Sequence, residues 1–349
     1  MQEINIYTYA SALKAALPAE AFRPHPWRLA WIPLHLALIA AAIVVIAHGW
    51  GGIAVAGVLS LVIGQSFAGL AFVGHETLHG SVVTGRRRRH LVGWLTLLPF
   101  FISPRLWTVW HNQVHHGHTK HPELDPDCYP SLATYQRSRV ARVVDRYSLG
   151  HGHPAGFLSL ILGMTGQSLQ CLFKVGGDRR YMTRREHGRA LAETGLDLAL
   201  WAALAVALGP VGFLFAYLIP LLVANTVVMA YIHTNHGLSP LTEVNDPLLN
   251  SLSVTTPRLL RVLHLNFGYH VEHHIFPKMS PANAPRVSQM IQERWPERYQ
   301  IMPLWRALLL LCRTARIYRS ATTLVDPRTG RSWSTLLPRD VATAARGAV

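Results

Sequence analysis

Two long stretches of the chain carry no charge. Residues 29–74 contain no Lys, Arg, Asp or Glu, and neither do residues 198–233. A helix needs roughly 20 apolar residues to cross the hydrocarbon core of a bilayer. Each stretch therefore has room for two crossings, the second if its first helix begins near Glu193. His48-Gly49-Trp50-Gly51-Gly52 reads as the turn of the first hairpin and Gly209-Pro210 as the breaker of the second. Pro220 falls inside the last helix and is expected to kink it. The pattern predicts spans at about 29–48, 52–74, 193–209 and 213–233. Three further apolar stretches read as helices lying in the interface. Residues 91–102 are too short to span, 155–173 carry Ser, Thr and two Gln, and Leu304–Cys312 is short and broken by Arg306.

Composition agrees with lipid contact. Charged residues make up 15% and mean hydropathy is +0.20, whereas a soluble domain carries about a quarter charged residues. The net charge of +15 is almost all arginine, the lysines being Lys14, Lys120, Lys174 and Lys278. No nucleic-acid motif accompanies it, so no nucleic-acid partner is expected. Neither hairpin contains Lys or Arg; the basic residues, Arg86–Arg89 and Arg179-Arg180 among them, flank the apolar runs. The positive-inside rule then puts both termini and the central segment in the cytoplasm. The expected fold is an all-α integral membrane protein of one domain over 1–349. Four transmembrane helices in two hairpins lie under a cytoplasmic helical cap of residues 75–192 and 234–349. The opening MQEINIYTYA has no basic segment before an apolar core, so no cleaved signal peptide is expected. Cys128, Cys171 and Cys312 read as reduced thiols.

The outlier is histidine, with 20 residues. His75 and His79 are spaced i, i+4 near the end of the second span and share a helix face. HETLH alone is also the zinc-protease pattern HExxH, with Glu76 as general base. A second cluster follows: His111, His115 and His116, trailed by His118 and His121. The third is His270, His273 and His274. An even number of crossings separates the clusters, so all three can lie on one side. A catalytic zinc takes three protein ligands, and eight imidazoles overshoot it, which favours a dinuclear site. Imidazole suits Fe, Cu, Zn and Ni, so ligand type alone does not choose the metal. Glu76, Glu272, Asp125 and Asp127 read either as partners of ligand N–H groups or as solvated residues. Trp107 and Trp110 read as interface anchors in preference to tunnel lining. His35, His48, His90, His151, His153 and His264 stand alone, with no ligand role expected.

The order HxxxH, HxxxHH, HxxHH resembles the membrane fatty acid desaturase superfamily. GHETLHGS, WHNQVHHGHT, ELDPDCYP, PLTEVNDPLLNS and LNFGYHVEHHIFP are similar to bacterial acyl-lipid desaturases over about residues 60–300. The resemblance implies two irons held by His75, His79, His111, His115, His116, His270, His273 and His274, with O₂ as co-substrate and a lipid acyl chain as substrate. It implies a ninth histidine at the end of the fourth span, where His236 is preferred and His233 is the other choice. An asparagine used by some relatives on this helix would fall at Ile232; Asn266 reads as an ordinary polar residue. No HPGG segment or iron–sulfur cysteine pattern is present, so electrons are expected from a separate protein such as a ferredoxin or cytochrome b5-like donor. The rivals are a hydroxylase or ketolase on the same scaffold and an intramembrane zinc protease built on HETLH.

Overall fold

A computed structural model describes residues 2–150 and 152–337. His151 and the end of the expected cap, 338–349, lie outside the described residues. The chain divides into two compact units. One is Pro24–His111 with Leu160–Met229; the other is Met1–Arg23, Asn112–Ser159 and Ala230–Val349.

The first unit is helical. Helices Trp31–Ala47 and Gly52–His79 form the expected hairpin, and the turn holds Gly49, Gly51 and Gly52 at φ of 67°, 79° and 67°. Only glycine enters that region without a Cβ clash. At about 1.5 Å per residue, the 28 residues of Gly52–His79 are long enough to cross a bilayer and still carry the two histidines beyond it. The isolated His35 packs onto this helix at Gly69, where a Cβ would meet its Nε2 at 2.3 Å.

Residues 91–102 form the end of helix Arg86–Leu97 and a tight turn, bent by 104° into Pro104–His115. The last part, Thr108–His115, is wound as a wider π-helix. The stretch 155–173 breaks at Leu162 into Leu158–Ile161 and Gly163–Lys174.

Arg184–His236 runs for 53 residues and is broken at Gly209, at φ 67° and ψ 175°. Thr183 and Glu186 close its start as a capping box. Pro220 has no N–H to return to the preceding turn. The structure absorbs it in a π-turn over Leu214–Leu218, where Ser60 Oγ donates to the Phe215 carbonyl at 2.6 Å. Among the described residues, three helices are long and apolar enough to cross a membrane, and counting bent pairs as spans raises that to five.

The second unit corrects the all-α expectation. Ser253–Thr255 (β1) pairs in parallel with Ile301–Pro303 (β2). Ile317–Ser320 (β3), Thr323–Val325 (β4) and Ser332–Ser334 (β5) form an antiparallel meander. Strands of three or four residues are too short to show a period of two. The core of this unit gathers Tyr9, Leu13, Leu248, Val271, Ile275, Val287 and Ile291. Val271 and Ile275 lie one turn apart on His270–Ile275, so packing one face of this helix fixes the histidines of the other. Leu304–Arg313 is amphipathic, with Ala307 and Leu311 buried and Trp305 exposed.

Candidate metal centre

In the first unit, Gly52–His79 presents His75 and His79 one turn apart, and the π-wound stretch supplies His111. His75 Nε2 lies 3.1 Å from His111 Nε2, and the three ring centroids are 4.7–5.2 Å apart. All three rings are buried. Trp107 stacks on His111 with centroids 4.5 Å apart, and Trp110 packs edge-on against Trp107. Both indoles are buried, so the interface-anchor reading gives way: these rings back the histidines. Glu76 serves neither a histidine N–H nor solvent. It accepts from Arg28 Nε at 2.7 Å in an ion pair whose side chains are each 3% exposed.

In the second unit, His115, His236, His270 and His274 form a buried quartet in which one nitrogen from each lies within 4.8 Å of the others. His270 Nε2 is 2.7 Å from His236 Nε2 and 3.0 Å from His274 Nε2. The opposite edges of the rings are held from outside. His115 Nδ1 donates to Asp125 Oδ1 at 3.0 Å, and His236 Nδ1 donates to the Asn250 carbonyl at 3.0 Å. Thr119 gives its hydroxyl hydrogen to the His115 carbonyl, so its oxygen accepts from His274 Nδ1 at 3.2 Å.

A carboxylate and a carbonyl only accept, so the Nδ1 atoms of His115 and His236 carry hydrogens, as does that of His274 on Thr119, and three Nε2 atoms are turned inward with His270 Nε2. Inward-facing lone pairs repel unless a hydrogen on His270 Nε2 or a metal cation lies among them. Neutral imidazoles with their other N–H held by an outer acceptor are the usual form of metal-bound histidine. The donor set fits a metal ion. Among the described residues, His270 Nδ1 and both polar atoms of the buried Asn235 amide, beside His236, have no hydrogen-bond partner.

His116 and His273 are also in this unit, Nε2 to Nε2 at 3.1 Å, with His116 stacked on His274 at 4.3 Å. His233 is directed to the Ser159 carbonyl at 3.1 Å, so His236 is the one placed in the quartet. Asn266 donates to the Pro281 carbonyl, and His118 and His121 join neither cluster. Glu272 is buried and accepts from Ser253 Oγ at 2.6 Å and from Tyr299 OH. Burial pushes its carboxyl up, with those two hydrogen bonds opposing. Burial also works against the charge of Asp125. His115 and the N–H groups of Lys120 and Asp127 nonetheless hold it below the usual carboxylate range. Sequence reasoning missed Thr119 and Asn250. Asn250 Nδ2 donates to the Thr119 carbonyl at 3.0 Å, so the two outer acceptors brace each other. Only the position of Asn250 in NDPLLNS hinted at this.

Membrane-length helices and buried clusters made chiefly of histidine place the chain among polyhistidine membrane-type proteins. The chain matches the fatty acid desaturase family over residues 53–305 and belongs to it. It is a desaturase, an oxidoreductase. An sn-1 acyl-lipid omega-3 desaturase (ferredoxin) of Synechocystis is 25% identical over 317 residues, 84% of each chain. A probable fatty acid desaturase of Sorghum bicolor is 24% identical over 76% of this chain and 71% of its own. The chloroplastic omega-6 fatty acid desaturase of Spinacia oleracea is 23% identical over 73% and 58%.

Proposed function

We propose that this chain is an O₂-dependent acyl desaturase that introduces a C=C bond into the chain of a membrane lipid. Two irons would be held by His75, His79, His111, His115, His116, His236, His270, His273 and His274. The observation that carries the reading is the quartet, in which the Nδ1 atoms of His115, His236 and His274 are committed outward and one nitrogen of each of the four rings converges. Two crossings per hairpin, broken at Gly209, give four spans. The charge pattern supports a cap and both ends of the chain on the cytoplasmic face of a membrane, in this reading a bacterial inner membrane.

The irons would supply an O₂-derived oxidant that takes one hydrogen from each of two adjacent CH₂ groups. Two electrons and two protons complete the balance, and O₂ leaves as two waters. The protein's part is positional, because an unactivated methylene offers no polar handle. Asp125, Asn250 and Thr119 fix the direction of three rings, and Trp107 fixes a fourth.

Electrons would come from a separate acidic carrier such as a ferredoxin, drawn to the arginine-rich surface. Turnover should then weaken with salt. The zinc-protease reading loses ground, because the carboxylate it needs as general base is paired with Arg28 inside the protein. Expression in a host without desaturases, followed by fatty acid profiling, tests the proposal. New monounsaturated or more unsaturated chains are expected, and His273→Ala should abolish them. Hydroxylated products would support the hydroxylase rival, and an unchanged profile would refute both.

A further inference from the structure

Beyond the matched segment, which ends at residue 305, the chain continues into the β3–β5 meander. One side chain of that meander reaches the quartet's outer contacts. Tyr318 of β3 is 2% exposed, and its hydroxyl donates to the Ser239 carbonyl at 2.6 Å. The same hydroxyl accepts from Lys120 Nζ at 2.6 Å, and the ammonium lies 4.6 Å from the ring centroid. Lys120 is itself 1% exposed. A lysine in that position is unusual, since its charge is rarely buried without a partner.

The backbone of Lys120 is stranger still. Its φ is 62°, a conformation that side-chain-bearing residues adopt only when the surroundings hold them there. In that conformation its N–H donates to Asp125 Oδ2 at 2.7 Å, while Asp125 Oδ1 takes the His115 Nδ1 hydrogen. Its carbonyl accepts from the Thr242 N–H at 3.1 Å. The neighbouring Thr119 holds His274. A continuous path of short contacts thus runs from Tyr318 through Lys120 and Asp125 to His115.

We propose that the C-terminal meander is a clamp on the metal centre. Tyr318 anchors the Lys120 side chain, the anchor keeps the Lys120 backbone left-handed, and that backbone holds Asp125 against His115. Tyr318 and Lys120 are positioning residues; neither touches the histidine nitrogens. The clamp rests on the metal-site reading above for its purpose, and on the contacts alone for its existence.

The two parts are tested separately on the full-length protein. Hydrogen exchange on the metal-free chain reads the clamp itself. Tyr318→Phe should raise exchange at the Lys120 amide at least tenfold while the helix Ala284–Arg294 stays protected. Unchanged exchange overturns the clamp, whatever the metal. Release of iron to a chelator reads its purpose. Tyr318→Phe and Lys120→Ala should lose iron at least tenfold faster than wild type, in line with the usual effect of removing an outer partner. Lys120→Gly should lose it several-fold more slowly than Lys120→Ala, because glycine takes φ 62° freely. Equal loss from Lys120→Gly and Lys120→Ala would overturn the backbone route. A wild-type chain that takes up no iron would contradict the metal reading and leave the exchange result to decide the clamp.

Discussion

Replacing Arg28 by methionine removes the cation of a buried pair while keeping most of the side-chain volume. The guanidinium lies 2.7 Å from Glu76 and both groups are 3% exposed, so no water takes its place. Breaking a buried pair from one side costs about 3–5 kcal/mol, because the remaining charge is left uncompensated. At about 2 °C per kcal/mol for a chain of this size, melting in detergent should fall by about 6–10 °C. Glu76 sits between His75 and His79 in sequence, so iron retention should fall as well. The double variant Arg28→Met/Glu76→Gln removes both charges and should recover most of the loss, to within about 2 kcal/mol of wild type. A thermal melt with a double-mutant cycle measures this. A single variant as stable as wild type, or a double variant as poor as the single, would refute the reasoning.

Asp125→Ala removes the acceptor of the His115 Nδ1 hydrogen and of the Lys120 and Asp127 N–H groups. Iron affinity measured against a competing chelator should fall about 10–100-fold. His236→Ala should lose bound iron, whereas His233→Ala should keep it, because His233 is engaged with the Ser159 carbonyl; metal analysis of the two separates them. Burial pushes the Asp145 carboxyl up to about 6, with Arg328 opposing. An acid raised on folding stabilises the fold below its unfolded value and costs stability as pH rises through about 6. Asp145→Asn should therefore melt about 2 °C or more above wild type at pH 7.5 and lose that advantage near pH 4.

Much of this architecture was legible in the chain. Uncharged runs of this length have few alternatives to membrane-length helices, and the glycines after His48 and at 209 stand where the backbone takes positive φ. The histidines announced themselves by i, i+4 spacing. What escaped was whatever depends on segments meeting from far apart. Arg28 and Glu76 are separated by 48 positions, and His274 and Thr119 by 155; no local periodicity encodes such pairs. The three-residue strands escaped for the opposite reason, being too short to carry a pattern. Trp107 looked like an interface anchor because an aromatic beside an apolar run usually is one, and only its stacking on His111 shows otherwise. The division of the second box, with His111 among His75 and His79 and His115 in the quartet, is also invisible in spacing. Positions one turn apart read as partners whichever cluster each joins.

The central claim is that these histidines hold two irons. Metal analysis of the purified full-length protein, expressed with iron and zinc both supplied, tests it most directly. Two irons per chain and no stoichiometric zinc are predicted. One zinc and no iron would contradict the account.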